Sequence, residues 1–370
     1  MRFNGRSAAP PVAAAGPVYA GEEAGRTESP PPDSGAFRHW RAVQDAMLLA
    51  AVVLVWLLLF RPAIGVTIMW NVIVPTFPAL FVLATGLWRN LCPMGTFSLL
   101  PRRLGFSRRR VMSPGLAGLS GLASVAALSV ILPLRHLSLD SNGTMTALML
   151  MSASGIAVAM GVVFQWRSGW CTSLCPIHPV EKLYGFSPLT TVENMRCGSC
   201  GKCSTPCPDS TRSMTSVNTV PSRLGGLVGH GLTGGFVGFV FGWYQLPDFE
   251  GRVGAAEILA CYVWPFGAAA ATLVVYAAAR KWLCRSKTAQ MTLVRVFAAA
   301  AVSAYYWYRL PALAGFGPNP GTGMLYDLTG VLPVWVPAIT QALTTSFFAW
   351  FMLVRRRTNA SWMVRPAYET

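Results

Sequence analysis

The sequence predicts an all-α integral membrane protein of about eight transmembrane helices, and three observations support that prediction. Hydrophobic residues make up 53% of the 370 residues and charged residues only 12%, whereas soluble domains carry about 25% charged residues. Apolar runs close to the length that crosses a bilayer as a helix recur from residue 46 onward. The basic residues are concentrated in alternate segments between those runs.

Composition divides the chain into five segments. Residues 1–36 are rich in Pro, Ala and Gly and lack apolar periodicity, so we expect a disordered tail there. Residues 37–166 hold four predicted transmembrane helices with an inner Cys-Pro loop, and 167–223 form an inner segment that carries most of the cysteines. Residues 224–354 hold four more helices, followed by a C-terminal tail at 355–370. The predicted spans are 46–60, 63–88, 114–134, 146–166, 224–246, 255–279, 293–313 and 335–354.

The basic residues predict the orientation of these spans. With the N-terminus inside, all but four of the 30 Lys and Arg residues fall in inner segments. The four outer residues are Arg61, Arg135, Arg252 and Arg309. Because positive charge is retained on the cytoplasmic side, we expect a multi-pass protein of the inner (plasma) membrane with both termini in the cytoplasm. The net charge of +16 then reflects topology and argues against nucleic acid as a partner.

Nine cysteines occur, and all but Cys261 fall in inner segments or at inner helix ends. A reducing cytoplasm disfavours structural disulfides, so we interpret the cysteines as candidate metal ligands. Four of them form a C-x2-C-x2-C-x3-C-P run at Cys197, Cys200, Cys203 and Cys207. Bacterial ferredoxins hold four-iron (4Fe-4S) clusters with this run. Zinc is the alternative, although zinc knuckles usually consist of two separated C-x2-C pairs.

Two further Cys-Pro elements begin at Cys92 and Cys175, at the predicted inner ends of the second and fourth spans. Each leads to a Gly-Phe-Ser sequence, so the two segments form an internal repeat. When they are aligned, Trp88 stands where the second copy has Cys171, and the first copy therefore has one thiol fewer. In two-cluster ferredoxins the last ligand of each cluster comes from a distant Cys-Pro.

The predicted metal ligands combine the run with these elements. They are Cys171, Cys175, Cys197, Cys200, Cys203 and Cys207, and Cys92 is a further cofactor-binding candidate whose alternative role is structural. Two four-iron clusters need eight thiolates, and these positions supply seven. One cluster is therefore predicted, and a second stays open.

These motifs resemble the membrane polyferredoxin family of the NapH and MauN type, to which the C-terminal half of the regulator NosR is also similar. The resemblance rests on the elements at Cys92, Cys171 and Cys175 and on the run that starts at Cys197, and it covers about residues 46–221. It implies about four spans and electron transfer between the quinone pool and a partner oxidoreductase or maturation system. This chain departs from the family in having Trp88 in place of a cysteine and one ferredoxin run where two are usual.

The resulting prediction is a membrane-bound iron-sulfur protein that passes electrons between a cytoplasmic or quinone donor and a partner oxidoreductase. The alternative is an accessory factor whose cluster reduces or assembles a partner metalloenzyme within a maturation complex. Either way we expect an electron-transfer subunit without catalytic residues of its own, served by a soluble ferredoxin or a quinol donor. A bound quinone is a further cofactor that stays open.

The fifth predicted span carries two weaker signals. His230 is a polar residue in an apolar run, and it is either a functional residue or a histidine hydrogen-bonded to a neighbouring helix. Seven glycines crowd the same stretch between Gly225 and Gly238. They predict close packing against another helix, with a flat cofactor or quinone against the bare backbone as the alternative.

Overall fold

A computed structural model describes most of the predicted membrane region. The described residues are 35–110, 112–164, 169–185, 188–190, 192–193, 195–196, 223–249, 253–319, 321, 323–355 and 363–364. The predicted disordered tail lies almost wholly outside them, and so does the complete ferredoxin run, Cys197, Cys200, Cys203 and Cys207.

Within the described residues the chain is almost entirely helical, as predicted. The α-helices are α1 (Gly35–Phe60), α2 (Pro62–Val66), α3 (Val74–Leu91), α4 (Pro93–Arg103), α5 (Pro114–Leu134), α6 (Gly143–Val163), α7 (His178–Tyr184), α8 (Arg223–Trp243), α9 (Ala255–Trp282), α10 (Lys287–Leu313) and α11 (Val336–Ala349). Single π-helical stretches occur at Thr67–Ile73, Arg135–Leu139, Trp170–Leu174 and Trp350–Val354. Two short strands, Val192–Glu193 and Met363–Val364, pair in parallel.

Seven helical stretches in the described part of the chain are long and apolar enough to cross a membrane. They are Phe37–Phe60, Pro62–Arg103, Gly115–Leu139, Gly143–Val163, Leu224–Trp243, Ala255–Trp282 and Val336–Val354, and they coincide with seven of the predicted spans. A multi-pass membrane protein is thereby confirmed. The remaining predicted span, 293–313, lies inside α10, whose hydropathy is lowered by the consecutive polar aromatic residues and Arg309 near its end.

The helix α10 nevertheless lies in the interior of the bundle. It packs against α8, α7 and α11, and Val302, Ala298 and Ala301 on it are fully buried. The main apolar cluster joins these residues to side chains of α3, α5, α7 and α8, including Phe81 and Phe236. Polar residues within transmembrane helices usually face the bundle interior, and Arg309 on α10 is 5% exposed and donates to the carbonyl oxygen of Trp70.

Close glycine contacts join α8 to α9. A Cβ at Gly234 would lie 2.7 Å from the ring of Tyr276, and one at Gly242 would lie 2.5 Å from the carbonyl oxygen of Trp264. A Cβ at Gly238 would collide with the carbonyl oxygen of Ala268. These three glycines recur at four-residue intervals, so they line one face of α8. The predicted role of the glycines in helix packing is confirmed for this face.

Candidate functional site

The two Cys-Pro elements meet at one end of the bundle. Cys92 ends α3 and starts α4, while Cys175 ends the π-helical stretch Trp170–Leu174 that leads into α7. Burial raises the pKa of the Cys175 thiol to about 12, and the neighbouring Cys92 adds to the rise. Cys171 is buried in the same region against Leu99 and Trp170, with Cys175 packed alongside. Three of the seven predicted cysteine ligands are therefore brought together.

The backbone of the second Cys-Pro turn acts on its thiol. The amide of Ile177 lowers the pKa of Cys175 and so opposes part of the rise caused by burial. Hydrogen bonds from backbone N–H groups favour the thiolate over the thiol and tune the potentials of iron-sulfur clusters.

Arg196 joins the inner segment to the first Cys-Pro turn. Its Nε donates to the carbonyl oxygen of Arg89 at 3.0 Å, and its Nη2 donates to those of Asn90 at 3.0 Å and Cys92 at 2.7 Å. The last carbonyls of a helix need such partners from outside it. The amide of Met195 donates to Asn90 Oδ1 at 3.1 Å. The segment that leads into the ferredoxin run is thus fastened to the turn that carries Cys92.

The charge of Arg196 lies beside the cysteines. Burial lowers the pKa of this guanidinium to about 10, and interactions with Cys92 and Cys171 oppose that shift. The side chain is 1% exposed and still carries its proton at neutral pH. Gly95 makes room for it, because a Cβ there would lie 2.7 Å from Arg196 Nη1. A buried cation at this point favours negatively charged sulfur ligands.

A buried ion pair links the two copies of the repeat. Arg89 Nε lies 2.7 Å from Glu181 Oε1, and the two side chains are 6% and 3% exposed. Arg89 Nη2 also donates to His178 Nδ1 at 2.9 Å, and since arginine only donates, Nδ1 is the accepting nitrogen. Burial raises the pKa of Glu181, and the Arg89 guanidinium opposes the rise. The pair holds α7 against the end of α3.

Sequence reasoning missed most of this polar shell. Arg89 and Arg196 stand next to cysteine motifs, which marks them as neighbours of the site, whereas Glu181 has no motif around it. A buried charge at such a site needs a partner. The partners themselves are distant in sequence and could not be read from it.

The other cysteines in the described part of the chain lie apart from the cluster formed by Cys92, Cys171 and Cys175. Cys261 is fully buried in α9 beside Leu137 and Leu246, as expected for an ordinary apolar position. The Cys284 thiol donates to the carbonyl oxygen of Ala289 within the loop between α9 and α10, at 3.6 Å.

Among the described residues, no group of three His, Cys, Asp or Glu side chains could hold a metal ion. A four-iron cluster differs from a single ion because its thiolates bind separate irons and stand further apart. The donors that are described are three cysteines with a buried cation beside them, and thiolates are the ligands that four-iron clusters take.

A small cavity of about 110 Å³ lies in the bundle next to this region. Its lining is almost wholly apolar, and it runs from Ile177 and Tyr184 near the second Cys-Pro turn to Arg135 and Tyr244. A cavity of about 150 Å³ just holds a benzene ring. A substituted quinone ring is larger, so this cavity does not accommodate one in the conformation described.

Arg135 and His136 form a second polar cluster beyond the cavity. Arg135 makes a two-fold ion pair with Asp140, both distances being 2.9 Å, and it lies over the rings of Trp70 and Trp243. His136 Nδ1 lies 2.6 Å from Asp248 Oδ1. The carboxylates of Asp140 and Asp248 are 13% and 14% exposed, and each is the partner of one of these two basic side chains beside the apolar bundle.

His230 is bonded to a neighbouring helix. Its Nδ1 lies 3.0 Å from the hydroxyl of Tyr276 on α9, which agrees with the structural interpretation of this residue.

No family model, curated protein or solved structure matches the chain. The polyferredoxin resemblance therefore rests on the cysteine motifs and stays a prediction.

Proposed function

We propose that the protein is a membrane-bound iron-sulfur carrier that passes electrons between a cytoplasmic or quinone donor and a partner oxidoreductase. One observation carries the proposal: the two Cys-Pro turns, 83 residues apart in the numbering, pack together, and Arg196, the residue before Cys197, donates to the carbonyl oxygen of Cys92. The residue that immediately precedes the ferredoxin run is therefore fastened to a Cys-Pro element of the kind that such runs require.

In this proposal a four-iron cluster is bound by Cys197, Cys200 and Cys203, with a fourth thiolate from Cys175 or Cys171. When bound, the cluster supplies one-electron transfer. The chain keeps water from the Cys171 sulfur, because this residue is 6% exposed and packs against Leu99 and Trp170. Cys207 and Cys92 would serve a second cluster if the chain holds two.

Arg196 has a defined role in the proposal. Negative charge on the sulfur ligands is compensated by its buried guanidinium, which the carbonyl oxygens of Arg89, Asn90 and Cys92 hold in place. Such compensation raises the reduction potential of a cluster. The ion pair between Arg89 and Glu181 fixes the two turns relative to each other.

The proposed orientation places the cysteines in the cytoplasm. α10 has 27 residues and at 1.5 Å per residue is about 40 Å long, which suffices to cross a bilayer. With α10 included there are eight crossings, and all but four of the 30 Lys and Arg residues fall on the cysteine side. This agrees with the positive-inside rule.

The direct test is anaerobic purification of the full chain, with iron and sulfide counting and EPR after reduction. We expect about four irons per chain, or about eight with two clusters, and the loss of most of this iron in Cys200→Ser. The matched control is Cys284→Ser, which removes a thiol outside the site and keeps the iron. Zinc in place of iron, or an unchanged iron content in Cys200→Ser, would overturn the proposal.

Electron transfer is tested separately with the same preparation. A short-chain quinol or reduced ferredoxin should reduce the cluster within milliseconds to seconds, and the reduced protein should be reoxidised by an oxidised quinone. A cluster that neither donor reduces would instead favour the accessory role in maturation.

A further inference from the structure

A second cavity, of about 540 Å³, opens between the start of α8, the end of α9 and the start of α10. It is well within the volume range of ligand sites. A Cβ at Gly231 would meet no atom within 4 Å, so the backbone of α8 forms part of the cavity surface. None of Cys92, Cys171 and Cys175 lines the cavity, so ligand binding in it does not depend on an iron-sulfur cluster.

The cavity has a cationic rim and an apolar side. Arg280 and Lys281 lie in the last turn of α9 and Gln290 in the first turns of α10, and all three line the opening. Leu227 and Leu273 provide apolar surface. Within the described residues no Asp or Glu lines the cavity, and neither Arg280 nor Lys281 belongs to an ion pair.

The cavity lies among helix ends. Gln290 lies near the start of α10, where the helix dipole favours anions. α9 ends at the cavity, and the two basic side chains of its last turn outweigh the negative end of its dipole, which amounts to about half a charge. Deeper in the cavity, the hydrogen bond of 3.0 Å between His230 and the Tyr276 hydroxyl presents polar groups beneath the rim.

The surroundings match the boundary of a membrane. Trp282 and Leu283, which follow Lys281, are 69% and 76% exposed, and large exposed apolar side chains at the end of a transmembrane helix are typical of the interface. An occupant at this depth meets cations at the rim and hydrocarbon-like surface below. An amphiphilic anion satisfies both.

We propose that this cavity binds an anionic phospholipid, with the phosphate between Arg280 and Lys281 and an acyl chain along Leu227 and Leu273. Basic pockets between transmembrane helices commonly bind acidic head groups. The lipid would fill the gap between the start of α8 and the start of α10. It would also attach α9, the most exposed transmembrane helix in the C-terminal half, to the bundle.

The test is a titration of the full chain in neutral detergent with dihexanoyl phosphatidylglycerol, dihexanoyl phosphatidylcholine and inorganic phosphate, measured by thermophoresis. We expect phosphatidylglycerol to bind at least tenfold more tightly than phosphatidylcholine. Removing both rim charges in Arg280→Gln/Lys281→Gln should weaken phosphatidylglycerol binding about thirty-fold, since each basic residue contributes a factor of about five. If that variant does not fold, Lys281→Gln alone should weaken binding about fivefold.

The matched control is Arg285→Gln/Lys287→Gln, which removes the same charge a few residues further along the chain, between the end of α9 and the start of α10, at positions that do not line the cavity. The affinity of this control variant for phosphatidylglycerol should change less than threefold. Equal losses in the two double variants, or equal binding of the two lipids, would overturn the proposal. Inorganic phosphate competing at the same concentration as the lipid would assign the cavity to a soluble phosphate ligand instead. Displacement of the lipid by a short-chain quinone would assign it to quinone.

Discussion

The two Cys-Pro turns have nearly the same backbone in different surroundings. Cys92 has φ −53° and ψ 116°, and Cys175 has φ −64° and ψ 119°. The amide of Cys92 donates to the carbonyl of Trp88, four residues back, whereas that of Cys175 donates to the carbonyl of Trp170, five residues back. The second turn thus contains one additional residue, accommodated as a π-helical stretch, and π-bulges are frequent at functional sites.

The two copies also differ at the second thiol. In the second copy Cys171 lies in the π-helical stretch and is buried beside the site. In the first copy Trp88, which the sequence alignment sets opposite Cys171, packs against the rings of Phe77 and Phe81, with centroid distances of 4.5 and 5.2 Å. Trp88 is therefore part of the apolar core.

The helix after each turn packs against the helix that precedes the other turn. α4, which follows Cys92, packs on α6, the helix before the second turn, while α7 packs on α3, the helix before the first. His178 is the third residue after Cys175 and accepts from Arg89, whereas the equivalent Gly95 leaves space for Arg196. Each turn is therefore completed by residues from elsewhere in the chain, and neither copy forms the site alone.

The largest expected effect is at the ion pair that joins the copies. Glu181→Gln keeps the side-chain volume but leaves Arg89 buried without its counter-charge, which should destabilise the protein by about 3–5 kcal/mol. Thermal unfolding in detergent measures this. Asp45→Asn is the matched control, because Asp45 is 55% exposed in its 2.6 Å pair with Arg103, and such pairs contribute about 0–1 kcal/mol. Similar losses in both variants would refute a special role for the buried pair.

The second prediction concerns Trp88, which the sequence alignment sets opposite Cys171. Trp88→Cys restores the C-x3-C-P pattern in the first copy, but we expect no gain in iron and a loss of about 2–4 kcal/mol of stability, because the aromatic packing is lost. Trp56→Cys, at a position 52% exposed, should have little effect. Extra iron in Trp88→Cys would mean that the first copy retains a complete ligand geometry.

The space at Gly95 gives the third prediction. In Gly95→Ala the new methyl group collides with Arg196, so we expect a loss of about 1–3 kcal/mol and a lower iron content after purification. Gly118→Ala is the control, since a Cβ there meets no atom within 4 Å, and alanine in a helix should raise stability by about 0.5–1 kcal/mol. Unchanged iron and stability in Gly95→Ala would show that Arg196 can move away without consequence.

The smallest expected effect concerns the carbonyl groups of the two turns. The Cys92 carbonyl accepts from Arg196, whereas the Cys175 carbonyl accepts from the Ser124 hydroxyl at 2.8 Å. Ser124→Ala should therefore cost about 0.5–1.5 kcal/mol in thermal unfolding. Ser141→Ala, which removes an exposed local bond, should be neutral. If Ser124→Ala does not change the stability, the second turn does not depend on this hydrogen bond.

Local patterns predicted the helices well, but contacts between residues distant in the chain could not be predicted. Apolar runs indicate where helices lie because a run depends only on neighbouring residues, and only α10 was less apolar than a lipid-facing helix should be. The meeting of Cys92 with Cys175 followed from the Cys-Pro repeat. The bonds of Arg196 to α3 and the pairing of Arg89 with Glu181 join residues about 90 or more apart in the chain. No sequence period encodes such pairs.

The central claim is that the second Cys-Pro turn and the ferredoxin run hold one cluster together. It is tested most directly by iron counting and EPR on anaerobically purified protein in which both thiols of that turn are replaced, Cys171→Ser/Cys175→Ser. We predict less than about one iron per chain if a single cluster is present, or the loss of one of two EPR signals if there are two. An iron content and spectrum identical to those of the unmodified protein would contradict the claim.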